Sequence, residues 1–201
     1  APRRPGQLWH RVRLTARRRL WAGRPARIDA RYRARAADGR LRWDHPGLAA
    51  MATARAARRP GDEALEVARG ALAGRFTLLG ETREFGLPVP WDRPDLLEAL
   101  LWKTHLHEAA WSFDLARAAR ETGEARYREA FFALARHYVE SQPIGKPGFQ
   151  SVAWNERVVA SRLMHWAAAG AWLGLRAGDP DADWLGREIV RHALFLRDNL
   201  A

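Results

Sequence analysis

The stretch Leu97-Glu-Ala-Leu-Leu-Trp-Lys-Thr-His-Leu-His-Glu-Ala-Ala-Trp-Ser-Phe-Asp-Leu-Ala116 decides the fold class. Leu97, Leu101, Thr104, Trp111 and Leu115 recur at intervals of three, four or seven, and Trp102, Leu106, Ala109, Phe113 and Ala116 form a second stripe. That period is helical, and a helix apolar on two sides is packed on two sides. The pattern predicts one long helix from Asp95 to the Glu121-Thr-Gly123 stop. Tyr127, Phe131, Leu134 and Tyr138 mark the next helix, broken by Pro143 to Gly148. Trp154 to Arg176 reads as a third, ended by Gly178-Asp-Pro180, and Trp184 to Asn199 as a fourth.

Upstream the signals are shorter. Leu8 to Trp21 reads as a short helix stopped at Gly23-Arg-Pro25, and residues 26–45 as extended or irregular. Pro46 suits the first position of a helix over about 47–58. Asp62 is the expected cap of a helix over 63–72, closed by Gly74. From Arg75 to Phe85 the period changes to that of a small hairpin turning at Gly80, and Gly86 to Pro94 is a loop. The turn before Tyr127 echoes the turn before Trp184, 57 residues on, which is the spacing of stacked helical hairpins in a solenoid or toroid. The fold class expected is therefore all-α, an incomplete (α/α) toroid of helical hairpins with one small β-hairpin, a basic N-terminal arm over 1–45 that is extended or partly helical, and a helical domain over 46–201.

Composition narrows the function classes. The chain has 201 residues, 47% of them apolar, with ten Trp, so it has ample material for a core. It has no Cys, which excludes disulfides and thiolate metal sites. No run reaches the roughly 18 apolar residues of a membrane span. The net charge is +11, and all of the excess lies in residues 1–44, with 14 Arg against Asp29, Asp38 and Asp44. Such a segment suits an acidic polymer; nucleic acid is the weaker reading, since the remainder of the chain is neutral.

Few residues offer chemistry. His105 and His107 stand two apart, so a helix turns them to nearly opposite sides and no metal site is expected. His105 shares its side with Glu108 and Ser112. Asn155, Val159, Arg162, Trp166, Ala169 and Leu173 form one stripe. An Arg on that stripe needs either an acid partner, with Glu156, Asp114 and Glu188 as the options, or a wet cleft that takes an anion. Trp154, at a helix entry, is placed to stack on a sugar ring.

Four ordered segments resemble the heparinase II/III-like polysaccharide lyases: Arg75-Phe-Thr-Leu-Leu-Gly80, Leu87-Pro-Val-Pro-Trp-Asp92, Leu101-Trp-Lys-Thr-His-Leu-His-Glu108, and Trp154-Asn-Glu-Arg-Val-Val-Ala-Ser-Arg-Leu-Met-His-Trp166. The resemblance implies the N-terminal part of an (α/α) toroid in a larger lyase that cleaves uronic-acid glycans, heparan-like or alginate-like, by β-elimination. It implies no cofactor. It implies as partners an acidic polysaccharide and a C-terminal β-sandwich of the same parent protein, with a periplasmic or envelope location. The catalytic groups are expected beyond Ala201, so the fragment alone is expected to be inactive. Trp102, His105, Trp154, Asn155 and Arg162 match the family's helix motifs and are the expected substrate contacts; Thr104-His105 departs from the family's usual aromatic-Asn pair. The alternative is a helical-repeat module that uses the basic arm to grip an anionic partner. The last helix is expected to expose Leu185, Ile189 and Leu196, and so to promote self-association.

Overall fold

The computed structural model describes residues 24–93, 96 and 99–200, together with 12, 15, 16 and 21. Among these residues it contains eight helices and one two-stranded hairpin. In chain order they are α1 (Pro25–Ala36), α2 (Pro46–Ala56), α3 (Gly61–Leu72), β1 (Arg75–Leu78), β2 (Glu81–Glu84), α4 (Leu100–Glu108), α5 (Trp111–Thr122), α6 (Ala125–Ser141), α7 (Glu156–Trp172) and α8 (Pro180–Asn199). The protein is all-α apart from the hairpin, and its stacked helical pairs form the kind of arc from which an incomplete helical toroid is built.

Local chemistry sets the helix starts. Pro25, Pro46 and Pro180 each occupy the first turn, where a missing N–H costs nothing. The Asn155 side chain accepts from Arg157 N at 3.1 Å, and Asp179 Oδ1 accepts from Asp181 N at 2.9 Å, so α7 and α8 carry side-chain caps. For α3 the expected Asp62 cap is displaced. Pro60 holds that position and Asp62 lies in the first turn, where its charge still complements the helix dipole.

Helix α7 is the centre of the body, with α2, α4, α5 and α8 packed around it. Helix α5 lies between α7, α6 and α3. Arg128 and Arg136 reach from α6 to Asp179 and Asp181 at the start of α8, which joins the two successive hairpins. In the β-hairpin Arg75 pairs with Glu84 and Thr77 with Thr82, and Phe76 is driven into the core against Phe85, Trp91 and Trp111. The hairpin closes on Gly74, where φ is +68° and a Cβ would overlap the carbonyl oxygen of Gly86.

Two sequence expectations are corrected. The long helix expected through residue 121 is broken at Ala109, which takes φ 59°. The break is held by Trp111 Nε1 donating to Leu106 O at 3.1 Å and Ser112 Oγ donating to Ala109 O at 2.6 Å, so the carbonyls released at the end of α4 find donors. Residues 26–45 are not extended. Most of them form α1, which packs along α8. Tyr32 contacts Phe195, Asp29 pairs with Arg191, and Arg35 pairs with Asp198 at 2.5 Å. Residues 25–45 therefore join the helical body instead of standing off as an arm. Leu185 and Ile189, at 0% and 4% exposure, are buried in the main core, and Leu196 is half-buried against the cluster of Tyr32 and Phe195, so the apolar face expected on the last helix is already occupied. The helix expected over Leu8 to Trp21, and Leu97 of the first stripe, lie outside the described residues apart from residues 12, 15, 16 and 21. Among the described residues no helix is long and apolar enough to cross a membrane.

Candidate functional site

The five expected contact residues fall into three settings. Four of them meet where the C-terminal half of α4 abuts the N-terminus of α7. Trp102 does not join them. It is buried against the hairpin, where Nε1 donates to Glu81 O at 3.1 Å and Arg83 lies over its ring at 5.0 Å.

Arg162 lies at the base of the junction and is 0% exposed. Its Nε donates to His192 Nε2 at 3.1 Å, Nη1 to His107 O and Tyr138 Oη at 2.9 Å each, and Nη2 to Ala153 O at 2.9 Å. Among the described residues no carboxylate reaches it within salt-bridge distance. The three acids offered by the sequence are placed elsewhere: Asp114 pairs with Arg59, Glu188 with Arg191 and Arg33, and Glu156 stands in the first turn of α7. The guanidinium is instead held by neutral acceptors and by the ring faces of Tyr138, Trp154 and Trp166. Neither an ion pair nor a wet cleft describes it.

These bonds fix the tautomers. His192 Nε2 accepts from Arg162, so Nδ1 carries the proton and donates to Glu188 O at 2.7 Å. His107 Nε2 donates to Trp91 O at 3.2 Å, which leaves Nδ1 to accept from Tyr138 Oη at 3.0 Å. Burial, reinforced by the charge of Arg162, pushes His107 down to about 3. Burial and then the Arg162 charge hold His192 well below the usual histidine range. Burial raises the Tyr138 phenol to about 12. The network is a neutral scaffold around one cation, without a group poised to exchange protons near neutrality.

Trp154 is 1% exposed, packed beside His192 and Phe195, with Arg191 over its ring at 5.1 Å and Nε1 donating to Gln142 O at 2.9 Å. A ring so enclosed presents no face for a sugar, which corrects the placement expected from its position at a helix entry. The surface of the junction is made by other residues. His105 Nδ1 is 3.0 Å from Glu108 Oε2, and Arg157 Nη1 is 2.8 Å from Glu108 Oε1. Glu108 is thus gripped from two sides, and the imidazole is oriented with Nε2 away from the carboxylate. Asn155 is half-buried beside them at the cap of α7. The spacing of His105 and Glu108 was legible as a shared helix side; Arg157, Tyr138 and His192 carried no such signal. Among the described residues no group of three or more His, Asp or Glu side chains is arranged to hold a metal ion.

Comparison with known proteins gives one informative likeness. No family model matches the chain, and no curated protein matches it in sequence. Among solved structures, the heparan sulfate lyase HepC from Pedobacter heparinus has a similar fold, with a TM-score of 0.59 over 86% of this chain at 17% identity. The matched region is 26% of the length of that lyase, so the chain spans about a quarter of it. At that identity the likeness is one of fold.

Proposed function

We propose that the chain is the N-terminal helical portion of a polysaccharide lyase that cleaves uronic-acid-containing glycans by β-elimination, with residues 46–201 and the packed segment before them forming part of an (α/α) toroid. The observation that carries this reading is the fold likeness to a heparan sulfate lyase over 86% of the chain. The four ordered motifs over residues 75–166 support it independently. In this reading the parent protein supplies a β-sandwich and the catalytic groups, while this portion supplies one wall of the glycan cleft.

The chemistry sets what such a wall must do. The proton on C5 of a uronate is weakly acidic, so elimination needs the neighbouring carboxylate neutralised before a base removes that proton and O4 departs. A wall that binds the carboxylates and holds the sugar rings in register lowers the barrier by positioning. His105 and Asn155 reach the surface and act as contacts. Arg162 acts beneath them as a positioning residue, because its bond to Ala153 O holds the segment that leads into Asn155. Trp154 and Trp102 support the cleft from the core. The rival reading, a basic arm gripping an anion, loses part of its charge, since Arg33 and Arg35 are paired with acids of α1 and α8.

The test is retention of glycans by the isolated chain. Heparan sulfate, hyaluronan or alginate should be retained in preference to neutral dextran, with no unsaturated product, and His105→Ala with Asn155→Ala should weaken retention. Equal retention of dextran, or of no glycan at all, overturns the proposal. Turnover by this chain alone overturns its assignment as a non-catalytic wall.

A further inference from the structure

Of the 34 basic residues only two are lysines, Lys103 and Lys146, and both converge on one carboxylate. Asp92, in the loop after the hairpin, accepts at Oδ2 from Lys146 Nζ and from Gln142 Nε2, the latter at 2.7 Å. Lys146 also donates to Ser141 O at 2.8 Å, which fixes its ammonium in place. Lys103 Nζ stands 4.0 Å from Asp92 Oδ1. That is too long for a direct hydrogen bond, and among the described residues Nζ has no other acid within salt-bridge distance. Yet the Lys103 side chain is only 9% exposed. The stem is buried while Nζ itself stays within reach of solvent, so the ammonium can donate to an oxygen that arrives from outside.

Arg dominates this chain, so the use of lysine at both positions has a physical reading. A guanidinium would clamp Asp92 in a fixed bidentate fork, whereas an ammonium is a compact charge that exchanges one oxygen for another without a preferred plane. Gln142 adds a neutral donor, itself buried and secured beside the α6 terminus. Asp92 is 45% exposed, so the site opens to solvent. Lys146 also lines a groove of about 640 Å³ with Asp29, Arg33, Glu140, Ser141 and Pro143, so one ammonium borders both Asp92 and open space.

We propose that Lys103, Lys146 and Gln142 form a subsite for the carboxylate of a uronate residue, and that Asp92 fills it as an internal stand-in that the glycan's carboxylate displaces. The inference rests on the reading of an acidic glycan as ligand and names the group of that glycan which this site recognises. It lies on the other side of α4 from His105 and Glu108, since positions 103 and 107 share one side of a helix and 105 and 108 another. Two independent contacts would then fix the direction of the chain.

Titration of a heparan sulfate tetrasaccharide into the protein by calorimetry tests this, with the carboxyl-reduced tetrasaccharide, which keeps its sulfates, as the second ligand. Lys146→Gln should weaken the native ligand about fivefold and leave the reduced one unchanged, while Asp92→Asn, by removing the competitor, should tighten the native ligand by a similar factor. Lys103→Met should weaken it as well, with unfolding midpoints confirming that the variant folds. Equal affinity of the native and reduced ligands in all variants overturns the subsite and assigns binding to sulfate. If the native ligand binds and responds to His105→Ala but not to Lys146→Gln, the subsite fails and the glycan reading stands. If no acidic glycan binds at all, both fail.

Discussion

Replacing Tyr138 by Phe removes one oxygen from the centre of the Arg162 network. That oxygen accepts from Arg162 Nη1 at 2.9 Å and donates to His107 Nδ1 at 3.0 Å. Arg162 and His107 are both 0% exposed, so neither can turn to solvent for a substitute. Arg162 Nη1 keeps His107 O as a partner, but His107 Nδ1 is left without one. A buried polar group so stranded costs about 1–3 kcal/mol, and a hydrogen bond to a charged group is worth about as much, so the variant should lose about 2–4 kcal/mol in all. For a chain of this size the Tm should fall by roughly 5–15 °C. Tyr127→Phe is the matched control, because its hydroxyl accepts from Arg126, whose side chain is 57% exposed. That loss should stay near 0.5 kcal/mol, because the Tyr127 hydroxyl, although on a fully buried ring, bonds Arg126 and Arg69, both more than half exposed, so its removal leaves those partners free to turn to solvent. Urea and thermal unfolding followed by circular dichroism read both variants. If the two phenylalanine variants unfold together, within about 0.5 kcal/mol of the parent, the network does not bear on stability and the argument is refuted.

Three further outcomes follow from the same packing. Gly170→Ala in α7 should destabilise by about 1–3 kcal/mol despite the better helix propensity of Ala, because a Cβ there would lie 3.0 Å or less from Cε3, Cζ3 and Cη2 of Trp43; an unchanged or raised Tm would show that Trp43 yields freely. Asp29→Ala should cost about 3–5 kcal/mol, since it strips Arg191, at 0% exposure, of one of its two carboxylates, and a neutral result in urea would return α1 to the status of a loose arm. Stability should also fall with acid. His107 and His165 are held neutral by burial, at about 3 and about 4, so the unfolded chain takes up their protons near pH 6.5 while the folded chain does not. At pH 5 each histidine should cost about 2 kcal/mol, with His192 adding in the same direction, and a flat unfolding free energy between pH 7 and pH 5 would contradict the burial of all three.

Most of the architecture was legible because the helices from residue 100 onward are amphipathic with distinct stops. Gly123 adopts the left-handed conformation at the end of α5, and Gly80 turns the hairpin, both as their positions in the sequence require. Helix α1 has a weak sequence signal because its buried stripe is narrow, with Tyr32 and Ala36 apolar but Asp29 supplying a charge that is met by Arg33 one turn on, by Ile144 N and by Arg191, 162 residues away. The break at Ala109 has no glycine or proline to announce it and is stabilised by side chains that follow it. The partners of Arg162 come from α4, α6, the 142–155 segment and α8, so no spacing within one helix could disclose them. Sequence logic offered acids because a buried cation ordinarily calls for one, and the protein instead assembled four neutral acceptors.

That outcome bears on how the motifs should be read. Of the five residues matched to lyase motifs, Trp102, Trp154 and Arg162 are at most 3% exposed. Their work is to lock α4, α7 and the segment before α7 into one geometry, which is a requirement of the fold whatever the fold binds. A shared architecture at 17% identity is what such residues can account for. In the proposed reading the groups placed to distinguish one glycan from another are His105, Asn155, Arg157, Asp92, Lys103 and Lys146, and all but Lys146 fall within the motif segments. Buried motif residues therefore argue for the toroid, while substrate choice has to be argued from the rim, where a point charge aimed at a carboxylate is the most specific feature the chain presents.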